Sequence, residues 1–296
     1  MKRAARVLTV LCAGASSVGL AQQTTFRSSS DAVFVDVSVW SERRAVIGLT
    51  RTDFALTDSG VAQSIDDVVV ASEPVDLELV VDTGSELRSL APAIDRDVSS
   101  VRSLLSAGDR SAIVTFDSQV RAGFAMGDPA ARGETGTVLF DAISAALMQR
   151  EEPGRRRMIV VVTAGLDTHS LLAAGTRRQI VQRSEPPVFL IAAGRRPTSI
   201  AFGQIGSGSV QSASFVADHT APLHELATAT GGRLFDLQEG DSFLNPLREA
   251  LAEFRTRYVL QYRPSGVAAT GWHDLGVKLT RAGSYDVRAR RGYWRD

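Results

Sequence analysis

The sequence predicts an α/β fold in which a mostly parallel sheet is doubly wound by helices and carries a small β unit. The first supporting observation is residues 74–87, PVDLELVVDTGSEL, where an apolar run ends in Asp82 and then turns through Thr83, Gly84 and Ser85. Near-continuous aliphatic strands belong to parallel sheets covered on both faces, and ligands of such sheets lie beyond the carboxyl ends of the strands. Asp82 is therefore predicted to lie where a ligand-binding site forms.

The second observation is a helical repeat directly after this strand. Apolar residues recur there at helical spacing and predict one buried stripe, made of Leu90, Ile94, Val98, Val101, Leu104 and Leu105. Pro92 fits this helix only in its first turn. Gly108 ends the helix, and residues 111–116, SAIVTF, are typical of a second buried strand. A strand, an Asp-bearing loop, a helix and another strand begin a doubly wound α/β domain.

The same alternation continues toward the C-terminus. We predict an edge strand at 119–124 after an Asp117-Ser118 turn, buried strands at 158–163, 187–193 and 233–237, and helices at 138–148, 223–230 and 243–254. A Gly-rich loop is expected at 127–136 and a Gly/Ser-rich insertion at 198–214. Residues 155–157, three arginines, are interpreted as a solvated lead-in to a strand. Glu78 lies inside the central strand, where a carboxylate is costly unless it has a partner or lies at the sheet's lower edge.

The third observation is strict alternation of apolar and polar residues at both ends of the chain. Residues 33–40 predict a half-buried strand, and 49–56 and 61–70 predict short strands around an Asp58-Ser59-Gly60 turn. Residues 258–262, 275–280 and 285–289 are expected to pair with them. The tail is rich in arginine, which we interpret as protection of an exposed strand edge rather than nucleic-acid binding, at Arg281, Arg288, Arg290, Arg291 and Arg295.

The chain start is typical of a secretion signal. Residues 1–21 have a basic beginning at Lys2, Arg3 and Arg6, an apolar stretch and small residues placed for cleavage. An uncleaved anchor is the alternative, although the apolar stretch is short of the ~20 residues needed to span a membrane. The organisation predicted is a signal peptide at 1–21, a flexible segment at 22–31, a β segment at 32–73, the central domain at 74–255 and a second β segment at 256–296.

Composition limits the classes of function. The 296 residues are 44% hydrophobic, enough for one sizeable α/β core and a small second unit. Removal of the leader would leave 30 basic against 33 acidic residues, a balance unsuited to general binding of phosphate backbones. Cys12 is the only cysteine and lies in the leader, so the mature chain would have no disulfide and no Cys-ligated metal. We expect export to the periplasm, the outer envelope or the extracellular space.

Several of these segments resemble one known family. Asp82 before a small-residue turn, SAIVTFDS, the GTVLFDA segment that begins at Gly136, and MIVVVT followed by AGLD look like the von Willebrand factor type A domain. The flanks LTRTDFALTDSG, LATATGGRLFDL, YVLQYRP and RRGYW resemble bacterial secreted proteins in which such a domain lies between β segments. The resemblance covers nearly everything after the leader. It implies a Rossmann-like sheet with a binding rim at its upper edge.

The resemblance also implies a site for Mg²⁺ or Mn²⁺. This sequence departs from the residue pattern that forms such a site in the family. The family pattern is D-x-S-x-S on one loop, a Thr on a second and an Asp on a third, which supplies the hard oxygen ligands that such ions prefer. Asp82 and Thr137 match, whereas Gly84 and Glu86 replace the serines and Ala164 replaces the second Asp. We expect a degenerate site in which Asp82 and Thr137 bond to loop backbones and cap helices. Rescue of a weak metal site by Ser85, Glu86 and Asp167 is the alternative.

Enzyme function is not expected. The histidines are His169, His219, His224 and His273, which we interpret as surface or half-buried residues. The stretch GSGS at 206–209 is not a nucleophile elbow, and no P-loop occurs.

Three functions remain. The first is a non-catalytic module that binds a protein or another envelope macromolecule through a rim of Asp82, Ser85, Glu86, Thr137 and Asp167. The second is a structural or assembly component of the cell envelope, and the third is metal-dependent adhesion through a rearranged site. No nucleic acid, cofactor or membrane span of the mature chain is expected.

Overall fold

The computed structural model describes residues 32–122, 136–193, 221–238 and 240–296. The predicted leader, the flexible segment 22–31, the Gly/Ser-rich insertion at 198–214, His219 and nearly all of the Gly-rich loop at 127–136 lie outside these residues. In the described part, no helix is both long enough and apolar enough to cross a membrane.

The first half of the chain, in order, forms β1 (Val33–Ser41), β2 (Arg44–Ala45), β3 (Phe54–Asp58), β4 (Val61–Gln63), β5 (Ile65–Val70), β6 (Val75–Asp82), α1 (Ala91–Ser100), β7 (Arg110–Phe116), β8 (Val120–Ala122) and α2 (Leu139–Leu147). The second half forms β9 (Arg156–Thr163), α3 (Ala174–Arg183), β10 (Val188–Ala192), α4 (Ala221–Thr230), β11 (Leu234–Asp236), α5 (Leu244–Arg255), β12 (Tyr258–Tyr262), β13 (Gly271–Leu279), β14 (Asp286–Ala289) and β15 (Gly292–Arg295). The protein is therefore a mixed α/β protein with several sheets, some of them parallel, which agrees with the predicted α/β class.

The largest sheet has six strands in the order β11-β10-β9-β6-β7-β8, and β8 alone runs antiparallel to its neighbour. The chain moves from β6 to β7 on one side and later returns to β9 on the other. Strand order therefore reverses at β6, and Asp82 is its last residue. Ligands of open α/β sheets lie beyond the carboxyl ends of the strands at such a reversal.

Alternate residues of β6 enter two separate cores because successive side chains of a strand point to opposite faces. Leu77, Leu79 and Val81 pack with α1 and α5, whereas Val80 packs with α2 and α4. Both faces of the sheet are thus covered, which explains why the sequence of this strand is a nearly continuous apolar run.

The predicted pairing of the two chain ends is present. β1 pairs antiparallel with β12 and with β14, and β13 pairs antiparallel with β3. The strands form two sheets, one with the order β14-β1-β12-β5 and β2 on β1, the other with the order β15-β13-β3-β4. Their alternating apolar residues share one core that includes Val35, Val37, Leu56 and Leu260.

One predicted element is wrong in part, and one observed element was not predicted. Residues 51–53 form a 3₁₀ turn rather than a strand, because Thr50 and Asp53 bond to each other's backbone and side-chain groups in a capping box. The helix α3 was not predicted at all. None of its residues is buried, so its sequence shows little of the apolar stripe on which helix prediction depends.

The arginines at 155–157 are not a solvated lead-in, because Arg156 and Arg157 already belong to β9. The buried Arg157 guanidinium pairs with Glu78 and also donates to two carbonyl groups. Glu78 further accepts a hydrogen bond from Gln149, so the carboxylate inside the central strand is satisfied. Burial of each charge is tolerated because the other lies beside it.

The arginine-rich tail also differs from the prediction. β14 is an edge strand, but Arg288 pairs with Glu253, which is fully buried on α5. Arg290 donates to the carbonyl oxygens of Gln182 and Ser184 beside the α/β sheet. These two side chains therefore join the β strands to the helices instead of protecting an open edge.

Candidate functional site

The loop after β6 is closed around the Asp82 carboxylate. Oδ1 accepts a hydrogen bond from the Gly84 amide at 2.8 Å, and Oδ2 accepts one from the Thr163 hydroxyl at 3.0 Å and one from the Ala164 amide at 3.2 Å. Asp82 is only 2% exposed. Its two oxygens thus hold together the ends of β6 and β9, the two strands between which the order of the sheet reverses.

Burial raises the pKa of Asp82, because removal from water disfavours the charged form. The hydrogen bonds from Gly84, Ala164 and Thr163 act against this shift, and the nearby Asp117 acts with it. Asp117 directly follows β7 and is buried, and its Oδ2 has no hydrogen-bond partner among the described residues. Sequence reasoning used Asp117 only as a turn residue. Its position directly after the neighbouring buried strand was the signal for a second carboxylate here.

Thr137 connects the second loop to the third. Its hydroxyl donates to the Leu166 carbonyl at 2.6 Å, and its amide donates to the Thr168 hydroxyl at 2.9 Å. Its own carbonyl accepts the amides of Thr168 and His169. Thr137 is buried, and its hydroxyl bonds the backbone of a neighbouring loop.

The caps of α2 come from the third loop, not from Thr137. Asp167 Oδ1 accepts the Phe140 amide at 3.4 Å, and the Ser170 hydroxyl accepts the Asp141 amide at 3.1 Å. In return, the Asp141 carboxylate accepts the amides of Leu171 and Leu172 at 2.7 and 3.1 Å. These reciprocal bonds satisfy first-turn amides of the helix and hold the third loop rigidly against it. Sequence reasoning did not identify Asp141 or Ser170.

Ser85 and Glu86 begin a 3₁₀ turn that leads into α1. Ser85 is half-buried and Glu86 is exposed, whereas Asp82 and Thr137 are buried behind them. Asp167 is partly covered, and its Oδ2 lies 3.6 Å from Arg177 on α3. The hydrogen bonds of Asp82 and Thr137 connect the ends of three loops, and Glu86 is an exposed carboxylate on the first of them.

Asp82 and Thr137, the two residues that match the type A ion-binding pattern, do not fit a divalent ion in this arrangement. Both Asp82 oxygens and the Thr137 hydroxyl already bond to protein groups, as described above. A Cβ added at Gly84 would lie 2.9 Å from Thr137 Cγ2 and 3.0 Å from Asp82 Oδ1, so the position of the family's serine is filled by its neighbours. No group of three or more His, Cys, Asp or Glu side chains that could hold a metal occurs in the described ranges.

The histidine prediction is wrong for His273, which is fully buried in the β unit. Its Nδ1 lies 2.8 Å from Asp58 Oδ1, and Asp58 Oδ2 accepts the hydroxyls of Tyr262 and Tyr293 at 2.8 and 2.9 Å. These bonds hold the pKa of Asp58 below its usual value although burial acts in the opposite direction. The four side chains lie inside the β unit and join its two sheets. His169 and His224 are exposed, as predicted.

The rim and the sheet define an α/β protein with three linked loops above the carboxyl ends of its parallel strands. No family model and no curated protein matches the sequence. Among solved structures, a von Willebrand factor type A protein from Catenulispora acidiphila is 11% identical, with a TM-score of 0.45, and the match covers 89% of this chain and 73% of that chain.

Two further similar structures come from Bacteroides. An aerotolerance-related membrane protein from Bacteroides fragilis is 15% identical with a TM-score of 0.40, and the protein BatB from Bacteroides thetaiotaomicron is 14% identical with a TM-score of 0.39. Each match covers 61% of this chain and 98% of the other. A type A protein is thus among the similar structures, as the sequence resemblance predicted. With TM-scores below 0.5, these matches carry no argument about the site.

Proposed function

We propose that the chain is an exported, non-catalytic module of the von Willebrand factor type A class, with a doubly wound central sheet and a β unit made from both chain ends. It binds a protein partner of the cell envelope through the rim of Asp82, Ser85, Glu86, Thr137 and Asp167, and it does so without a tightly held ion. Asp82 and Thr137 contribute indirectly, because their hydrogen bonds hold the loops that carry the contact surface.

The observation that carries this proposal is the closed hydrogen-bond set of Asp82. Three protein donors occupy its carboxylate: the Gly84 amide from the loop after β6, the hydroxyl of Thr163 at the end of β9, and the Ala164 amide from the loop that follows. Loops that are already ordered lose little conformational freedom when a partner binds, so affinity can come from ordinary surface contacts. The rim then works as a preformed protein-binding surface.

The structural and assembly alternative depended on an exposed arginine-rich edge. Arg288 and Arg290 instead face the helices, so that alternative has less surface to use. Metal-dependent adhesion has less support than partner binding, because both Asp82 oxygens and the Thr137 hydroxyl are already bonded to protein groups.

The test is a comparison of rim and control variants in capture from envelope extract, with cross-linked peptides identified by mass spectrometry. Glu86→Arg changes the exposed rim carboxylate, and Glu42→Arg makes the same change on an exposed turn of the β unit. We expect the first to abolish capture of a specific partner and its rim cross-links, and the second to leave both unchanged. Equal capture by the two variants, or cross-links confined to the β unit, would contradict the proposal.

A further inference from the structure

A groove of about 570 Å³ runs beside the rim on one face of the protein. The helices α2, α3 and α4 form its walls, and β13 reaches its far end. Apolar and aromatic side chains line it, among them Phe140, Ile143, Leu147, Leu226 and Trp272. Grooves of this size and lining are typical of binding sites.

The helix α3 is poorly covered along this groove. None of its ten residues is buried, and Ile180 and Val181 are only half-buried where they pack against the second core. Helices of this length are marginal in water and depend on the packing of an apolar face for their stability. A partner lying in the groove would complete that packing.

An exposed apolar side chain lies on the rim loop just before α3. Leu171 is 92% exposed, more than any other large apolar side chain in the described ranges. Its backbone is nevertheless fixed, because its amide and that of Leu172 donate to the two oxygens of Asp141. Because its backbone is already held, Leu171 loses only the rotamer freedom of its own side chain when a partner buries it.

The two sides of the groove carry opposite charge. Arg177 and Arg178 lie on the α3 side, and Glu225 and Asp274 lie on the side formed by α4 and β13. Arg291 also lies on that second side, 4.0 Å from Glu225. Arg178 has no acidic partner among the described residues, and the Asp274 carboxylate accepts only the indole N–H of Trp272 there. The groove is thus basic on one side and has two carboxylates on the other.

We infer that this face binds a second copy of the chain, with Leu171 of each copy inserted into the groove of the other. An interface around a two-fold axis needs a projection and a recess on the same face, so that each copy contacts the other in the same way. Leu171 and the groove meet this condition, because Asp141 and Ala174 connect the loop directly to the groove walls. In this arrangement the basic α3 side of each groove, with Arg178, faces the side of the other copy that carries Glu225, so the charges are self-complementary.

The test is sedimentation velocity of the purified protein over a range of concentrations. We expect a monomer–dimer equilibrium, and we expect Leu171→Asp to raise the dimer Kd by roughly 30-fold or more, the loss typical of an anchor residue. Met148→Asp is the matched control, since Met148 is 70% exposed, does not line the groove and follows the last residue of α2. It should change the Kd by no more than about threefold, as expected for a surface residue outside the interface.

A charge exchange separates this dimer from other associations. Arg178→Glu and Glu225→Arg should each raise the Kd, and the two changes in one chain should return it toward the unmodified value. Protein that is monomeric at every concentration would overturn the inference. A dimer whose Kd does not change in Leu171→Asp would do the same, as would a charge-exchanged protein whose dimer Kd is no lower than that of either single variant. Loss of dimerisation by Leu171→Asp with partner capture intact would leave the proposed function standing on its own.

Discussion

The Asp82 carboxylate lies where the strand order of the sheet reverses, and three neighbouring donors occupy it. A divalent ion would have to displace these bonds and give up its own hydration, which Mg²⁺ does reluctantly. Gly84 lies where the type A pattern has a serine, and it completes the closure because Thr137 Cγ2 and Asp82 Oδ1 occupy the space of a Cβ. The ability of this site to hold an ion therefore depends on individual contacts of Asp82 and Gly84, which the sequence motif does not describe.

We expect no tight binding of Mg²⁺ or Mn²⁺ by the unmodified protein in a calorimetric titration. The variant Gly84→Ser, Glu86→Ser, Ala164→Asp restores the family's oxygen ligands, but the first of these changes adds a side chain that must displace Thr137 or Asp82. Any binding that the variant gains should therefore be accompanied by lower thermal stability without metal. Saturable binding by the unmodified protein at micromolar ion concentrations would refute our assignment of the site.

The raised pKa of Asp82 predicts a specific dependence of stability on pH. The folded chain holds this proton more tightly than the unfolded chain, so the contribution of Asp82 to stability is complete below the unfolded value of about 3.9 and declines as pH rises through the folded pKa. Asp82→Asn cannot ionise. Urea unfolding across acidic pH should show that the difference in stability between the two proteins shifts in favour of the variant as pH rises. Parallel curves would show that the carboxylate does not titrate abnormally.

Among the elements, β6 and β9 illustrate how a buried ion pair supports a parallel sheet. Arg157 on β9 reaches Glu78 on β6, and it also bonds the carbonyl groups of Ala146 and Gln149 at the end of α2. Helix and sheet are thereby joined at the edge opposite the rim. β6 and β9 are adjacent, and their register pairs Glu78 with Ile159. Arg157 lies two residues before Ile159, so it is close to Glu78 along the neighbouring strand.

Removal of one member of this pair should be costly. We expect Arg157→Ala to destabilise the protein by about 3–5 kcal/mol in urea unfolding, because Glu78 would remain buried without its counter-ion. The double variant Glu78→Leu, Arg157→Met retains volume and leaves no charge, so it should lose much less. A single variant that costs no more than the double would show that water reaches the carboxylate.

In the whole molecule, the α/β sheet and the β unit are joined by the segments that resemble the flanks of the family. The Gly231-Gly232 pair after α4 lies against the backbone of β10 and of the residues at the end of β14. A Cβ at Gly231 would meet Arg290 N at 2.7 Å, and one at Gly232 would overlap the Val188 carbonyl oxygen. The Arg291 amide donates to the Ala229 carbonyl nearby. Small residues are needed here because two backbones approach each other closely.

Gly231→Ala and Gly154→Ala form a matched pair that measures this contact. Both glycines have positive φ, +76° and +78°, but Gly154 has no atom within 4 Å of the added carbon. We expect Gly154→Ala to cost about 1 kcal/mol from backbone strain, and Gly231→Ala to cost a further 1–3 kcal/mol or so from steric overlap. Thermal unfolding would measure both, and equal losses would show that the junction yields without strain.

Patterns in the sequence determined the α/β class, the strands of the central sheet, the pairing of the chain ends and the position of Asp82 at the carboxyl end of β6. These features follow from hydrophobic periodicity and from short-range rules that act along the chain. Only the tertiary structure decided the partners of Glu78 and Asp82, the burial of His273, the inward direction of Arg288 and Arg290, and the presence of α3. Each of these depends on contacts between residues far apart in sequence, or, for α3, on a helix that lacks a buried stripe, and periodicity contains no information about either.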